Sequence, residues 1–397
     1  MKKLFVIYSI VTVSLLGSGE LVDVLSENRT KLIETQKEQT QLQSDILEKS
    51  WINPITISYS KSYSNQFGDV EGSGQFIISV DQPIFKMGGI WEAIKYAKAL
   101  GKANKIDIEL QRRELVTQAL NILFNLRKSY LQLKKFDYLI KNDELDILIQ
   151  KESYEAGVTN RTLYDQALLK RNQDITSKLD LQMQITKLKN DFSLLSDKSP
   201  DEIELPNFGM IEQNRYENSQ LEIQRDKLRV EEKRHNKYMV WTKYLPQISI
   251  TGRYVNEDEN PLFVGTDIKT SYYTYGFKVS MPLSINSYHD IETSKLDYIN
   301  AQITLDEDKK KVINEYNLVK TKLDIIDQKI ALSQADAQNY ESMLNVAQNL
   351  EKVGDATSYD TQIVLNNLKI RELDQDIYRY DAQLELLNLY SKVADAL

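Results

Sequence analysis

The chain has 397 residues, no cysteine, two histidines and a net charge of −8. Disulfides and thiolate metal sites are therefore excluded, and His235 and His289 are too isolated to build a zinc or iron centre. The acidic balance disfavours nucleic acid as a partner, and no nucleophile–base pairing, phosphate loop or metal cluster suggests an enzyme or a cofactor.

The first predicted element is a signal peptide over residues 1–19. Lys2 and Lys3 precede an apolar run from Leu4 to Leu16 and the small residues Gly17, Ser18 and Gly19, the order of a secretory leader. At about 13 residues the run is too short for a membrane helix, which needs about 20. Cleavage near Gly17 or Gly19 would remove both lysines, taking the charge from −8 to about −10. No cysteine follows, so no lipid-anchored N-terminus is expected. No later stretch reaches the roughly 18 consecutive apolar residues of a membrane helix, so entry into a membrane would be by strands.

A helix is predicted over about 21–49, then two strands. Ile55, Ile57, Tyr59 and Tyr63 alternate with Thr56, Ser58, Ser60 and Ser62; Phe76, Ile78 and Val80 alternate with Gln75, Ser79 and Asp81 and end at Pro83. A long helix follows from Trp91 to Tyr154. Its apolar positions Leu115, Ala119, Ile122, Leu126, Leu133, Phe136, Ile140, Ile147 and Tyr154 step by fours and threes, with Ser129, Asp143 and Gln150 as polar members. This is a coiled-coil seam, on a helix about 100 Å long at 1.5 Å per residue. The glycine at 157 closes it, and a returning helix is expected from Asp165 to about Leu195. Asp197 to Gly209, with Pro200 and Pro206, reads as a linker.

The pattern then repeats. A helix is expected over about Glu212 to Tyr238. Two strands follow, one alternating Ile248, Ile250 and Tyr254 with polar neighbours, the other Tyr273, Tyr275, Phe277, Val279 and Met281, ending at Pro282. Glu257-Asp258-Glu259 between them reads as a solvated loop. A second seam runs through Val312, Tyr316, Val319, Leu323, Ile326, Ile330, Ala337, Tyr340, Leu344 and Ala347, with Ser333 as a polar member. Gly354 closes that helix, and a returning one is expected from Asp360 to about Ala394. Leu115 and Val312, Ala119 and Tyr316, and Gly157 and Gly354 are each 197 apart, so the chain is a duplicated unit, 20–209 and 210–397.

One apolar and one hydroxyl-rich face suit strands of a membrane barrel with a wet interior, although a soluble antiparallel sheet alternates similarly. Four strands cannot close such a barrel, whose smallest forms have about eight. Two copies would give about eight strands and a filled interior, three about twelve and room for a pore.

In element order, in the strand endings Val80-Asp81-Gln82-Pro83 and Val279-Ser280-Met281-Pro282, and in its two glycine tips, the mature chain resembles the TolC-like outer-membrane efflux protein family. The resemblance implies a mixed α and β fold. Long antiparallel coiled-coil helices would form a periplasmic α-barrel, and four strands per protomer a membrane β-barrel of twelve in a homotrimer. It implies outer-membrane lipid, a periplasmic adaptor and an inner-membrane pump as partners. The function expected is an exit duct of a tripartite efflux or type I secretion system, passively conducting substrates across periplasm and outer membrane. A periplasmic coiled-coil adaptor or scaffold is the alternative.

By motif position the family's acidic constriction ring falls on Asp360, with Asp165 as its counterpart behind a spacer two residues longer. Such a ring attracts cations and repels anions, while the residues themselves suggest equally that both aspartates cap the returning helices. The family's arginine two residues after the second glycine is replaced by Ala356, leaving Arg161 in the first tip as the substitute. The adaptor-facing tips would comprise Tyr154, Gly157, Val158, Thr159, Arg161, Gly354, Asp355, Ala356 and Thr357.

Overall fold

The computed structural model describes residues 24–65, 68–257 and 269–394. The expected signal peptide and the acidic turn from Asp258 lie outside them. In chain order the elements are α1 (Glu27–Glu48), β1 (Thr56–Ser64), β2 (Glu71–Phe85), α2 (Gly89–Glu155), α3 (Arg161–Ser193), α4 (Gln213–Asn218), α5 (Leu221–Thr242), β3 (Gln247–Glu257), β4 (Ser271–Ser280), α6 (Ser287–Val353) and α7 (Ser358–Tyr390). Helix lengths recur: α2 and α6 each have 67 residues, and α3 and α7 each have 33. Among the described residues no helix is long and apolar enough to cross a membrane.

Compactness divides the chain into two units that each draw on both halves. One comprises 1–33, 110–221 and 311–397; the other comprises 34–109 and 222–310. The second contains the sheet, antiparallel in the order β1-β2-β3-β4. Directly paired residues share a face, and Ile57↔Ile78, Tyr59↔Phe76, Ile78↔Tyr254, Tyr254↔Tyr273 and Ile250↔Phe277 put the apolar members together. Thr56↔Ser79, Ser60↔Gln75, Arg253↔Thr274 and Ser249↔Lys278 make up the other face. The two faces expected from the alternation are thus real. β1 is exposed along its whole length and β4 nearly so, and among the described residues neither has a partner on its outer edge. β2 is longer than expected, 15 residues, and continues past Pro83. The register slips between Pro83 and Phe85, because proline has no N–H to give the ladder.

Helices in this unit pack through small residues and ion pairs. A Cβ on Gly101 would stand 2.1 Å from Ser44 Oγ, so only glycine lets α1 cross α2 there; Ala97 and Ala103 on α2 are fully buried. Arg229 on α5 donates to Asn104 and Asp107 on α2, both at 2.8 Å. His235 Nδ1 lies 2.7 Å from Glu92 Oε2.

The other unit holds the main core. Val116, Ala119, Leu120, Leu123 and Phe124 of α2 pack against Phe192, Leu195, Phe208, Leu386 and Leu387. The linker is irregular as expected, but its end is structural. The Phe208 ring lies 4.6 Å from that of Tyr390. Its N–H donates to Gln383 Oε1 at 2.7 Å, and its carbonyl accepts from Gln383 Nε2 at 3.1 Å. The helix expected over Glu212 to Tyr238 is broken into α4 and α5. At the break the Ala394 N–H donates to the Ser219 carbonyl (2.9 Å) and the Leu221 N–H to that of Lys392 (3.1 Å). Backbone groups committed to the C-terminal turn are lost to the helix ladder. The predicted α6 seam is buried at Val312, Tyr316, Val319 and Ile326, 3–8% exposed, and half-buried at its apolar positions from Ile330 to Ala347 toward the tip. Two polar members of the seams have neighbouring partners: Ser333 donates to the Arg371 carbonyl at 2.9 Å, and Asp143 lies in ion-pair contact with Lys170 at 2.9 Å.

Candidate functional site

The hairpin tips are built by backbone geometry. Gly157 has φ +74° and Gly354 φ +83°. A Cβ would meet nothing at either, so the left-handed conformation, not space, requires glycine. The N–H groups of Gly157 and Val158 donate back to the carbonyls of Tyr154 (3.0 Å) and Ser153 (2.9 Å). Those of Gly354 and Asp355 donate to Glu351 (3.1 Å) and Leu350 (2.9 Å). This paired pattern is the Schellman closure of a helix C-terminus.

Three residues past each glycine stands the next N-cap, Asn160 and Thr357, again 197 apart. Asn160 Oδ1 accepts from the Leu163 N–H at 3.3 Å. Thr357 Oγ1 accepts from the Asp360 N–H (3.2 Å), while Asp360 Oδ2 accepts from the Thr357 N–H (3.2 Å) and hydroxyl (2.7 Å). That is a complete capping box. The returning helices therefore begin at Arg161 and Ser358, earlier than the expected Asp165 and Asp360, because the first side-chain oxygen after each tip serves as the cap.

The two aspartates differ in position. Asp360 is in the first turn of α7, where a carboxylate complements the helix dipole, and it remains exposed. Asp165 lies one turn into α3 with Oδ2 3.5 Å from Arg161 Nε; in the 197-residue register Leu163, not Asp165, corresponds to Asp360. Arg161 is thus engaged along its own helix. Of the other tip residues, Val158 is 81% exposed and Tyr154 44%; Thr159 and Ala356 are half-buried, and Asp355 is exposed. The Tyr359 hydroxyl donates to Glu152 Oε1 at 3.4 Å, linking the tips.

Three features lie outside the expected set. A groove of ≈ 450 Å³ beside the second tip is lined by Met343, Val346, Leu350, Ala356, Asp360 and Val364, among others. It belongs to a second apolar stripe on α6: Leu318, Ile325, Leu332, Val346 and Val353 recur at multiples of seven and are 48–69% exposed. That spacing was visible in the sequence but was masked by the stronger seam beside it. Behind the first tip, Asp174 packs against Asp143; burial, then the neighbouring carboxyl, raises it above the ordinary carboxylate range. The Asp143 carboxylate holds the Lys170 ammonium above its usual value.

In the other unit the hydroxyl face of the sheet carries the ion pair Lys278–Asp81 (2.7 Å) and the contact from Gln75 Nε2 to Glu257 Oε1 (2.8 Å). The opposite face is largely apolar, with Ile57, Tyr59, Tyr273, Tyr275 and Phe277 all more than 60% exposed; Lys61, Gln82, Asn256 and Ser271 are the polar residues on it.

No protein-family model and no curated protein sequence matches this chain. Solved structures do. The chain is similar to the outer membrane protein VceC of Vibrio cholerae, at 15% identity and a TM-score of 0.76, over 94% of this chain and 96% of that one. The Campylobacter jejuni CmeC outer membrane channel matches at 16% identity and TM-score 0.73, over 95% and 85%. The open state of the Neisseria gonorrhoeae MtrE outer membrane channel matches at 12% and 0.69, over 95% and 88%. The chain has the fold of these outer-membrane channels: long helical hairpins joined to a small four-stranded sheet, in one protomer.

Proposed function

We propose that the chain is the protomer of a TolC-like outer-membrane duct, a homotrimer that conducts substrates delivered by an inner-membrane pump through a periplasmic adaptor. The observation that carries this is the sheet. Its four strands expose one largely apolar face and one hydroxyl-rich face, and among the described residues both edges are unpaired. In lipid such edges cannot be left open. An even number of antiparallel strands lets β4 of one copy meet β1 of the next without breaking the alternation, and three copies give twelve strands. The exposed stripe on α6 supplies a matching helical contact, since a long apolar surface on one protomer signals an interface. The fold shared with VceC, CmeC and MtrE supports the same reading, and the tips are the adaptor-facing end, with Asp360 the better candidate for the constriction.

The test is expression of the full chain in a Gram-negative host. The expected result is an outer-membrane fraction that yields its protein only to detergent, runs as a heat-modifiable trimer and forms channels in planar bilayers. Release without detergent as a soluble protein would instead favour the periplasmic scaffold.

A further inference from the structure

All three tryptophans of the chain, Trp51, Trp91 and Trp241, fall in the stretches where strands give way to helices. Trp91 and Trp241 are 61% and 48% exposed. Lysines stand beside the exposed rings: Lys95 Nζ is 5.2 Å from the Trp91 centroid, and Lys237 Nζ 4.6 Å from that of Tyr238. A cavity of ≈ 410 Å³ opens in the same place, and its lining includes Trp51, Lys86, Ile90, Met239, Val240 and Lys243.

Among the described residues, the lysines of this cavity have little counter-charge. Lys86 is half-buried and makes no ion pair with any described residue. Lys243 lies 5.3 Å from the Tyr244 ring centroid, and its one carboxylate among the described residues is Asp290, at 3.8 Å and in solvent, a contact worth little. A lysine held against apolar walls without a carboxylate is stabilised by an anion from outside. The walls themselves select an amphiphile over a bare anion. Ile84 and Phe85, next to Lys86, are 52% and 47% exposed, so apolar surface continues from the cavity onto the strands. Tryptophan, tyrosine and lysine together are the side chains that settle at a headgroup boundary.

We propose that this cavity seats the phosphate-bearing end of an anionic glycerophospholipid, one per chain, with its acyl chains along the apolar sheet face. The inference rests on the membrane-duct reading above. Its consequence is a lipid-specific anchor at the boundary between helices and strands.

The experiment uses the full chain, purified in neutral detergent and delipidated, with tryptophan fluorescence followed during titration. The probes are brominated-chain phosphatidylglycerol, brominated-chain phosphatidylethanolamine and inorganic phosphate. The expected result is saturable quenching by phosphatidylglycerol, most of it lost in Trp51→Phe. Lys86→Gln combined with Lys243→Gln weakens that binding about thirtyfold, while Lys95→Gln leaves it unchanged. Equal affinity for the two lipids, unchanged affinity in the double variant, or displacement of lipid by equimolar inorganic phosphate would each overturn the site. A trimeric channel with equal lipid affinities defeats this inference alone. A chain recovered without detergent defeats the duct reading and this one with it.

Discussion

Helices α2 and α6 have the same length and carry the same seam, yet their surroundings differ. In α2 the consecutive pairs Ala119–Leu120 and Leu123–Phe124 are all at most 1% exposed. Neighbouring residues point some 100° apart on a helix, so this stretch is covered on more than one side by its own chain. In α6 the buried Val319 and Ile326 stand beside Leu318 at 56% and Ile325 at 48% exposure. Two helices of equal length therefore differ in what completes them. The first is completed by intramolecular packing; the second leaves one apolar face exposed, which a neighbouring copy would cover in the proposed trimer. In that reading the two hairpins are unequal in role, one holding the protomer together and one joining it to the next.

The comparison can be broken most directly in the core. Phe124→Ala, which empties the centre of the α2 cluster, is expected to cost about 3–5 kcal/mol of protomer stability in denaturant unfolding. A comparable loss from Leu332→Ala on the α6 stripe would show that the stripe is already satisfied within one chain. Next in size is assembly. Ile325→Lys with Leu332→Lys is expected to leave helicity by circular dichroism intact and to abolish the trimer in size-exclusion chromatography with light scattering. Each charge forced into an apolar contact costs at least about 1–3 kcal/mol. A persisting trimer would remove α6 from the interface.

The smallest expected effect is at the helix ends. Asp360 is both N3 of a capping box and the constriction candidate, and Asp165 is neither N-cap nor its register partner. Asp360→Asn keeps an oxygen for the cap while removing the charge. In planar bilayers it should raise single-channel conductance and weaken block by divalent cations, and adding Asp165→Asn should change this little further. Unchanged conductance and block in both variants would leave Asp360 a capping residue only.

Much of this architecture was legible in the sequence because its determinants are local or periodic. The alternation through Ile55–Tyr63 and Tyr273–Met281 marks strands with two unlike faces, since successive side chains in a strand point opposite ways. The seams from Leu115 and Val312 mark helices that pack along one face, and Gly157 and Gly354 mark their ends by the left-handed turn that only glycine takes without strain. What was missed depends on neighbours. The break at Ser219 and Gln220 arises from backbone pairing with residues 392 and 394, distant in sequence. Phe208 reads as the end of a polar linker until α7 brings Tyr390 and Gln383 to it. The cap at Thr357 lay within reach of a pattern argument, since threonine and aspartate three apart form a capping box there; Asn160 has leucine three residues on, so its cap shows only in the folded turn.

The sequence by itself determined the alternation, the heptads, the turns and the duplication, because each is a short-range preference repeated along the chain. Tertiary structure alone decided which apolar stripe is covered and which is left open, and that Lys86 stands without a carboxylate partner among the described residues. Burial and ion pairing are properties of what the folded chain brings alongside a residue, and no periodicity encodes them.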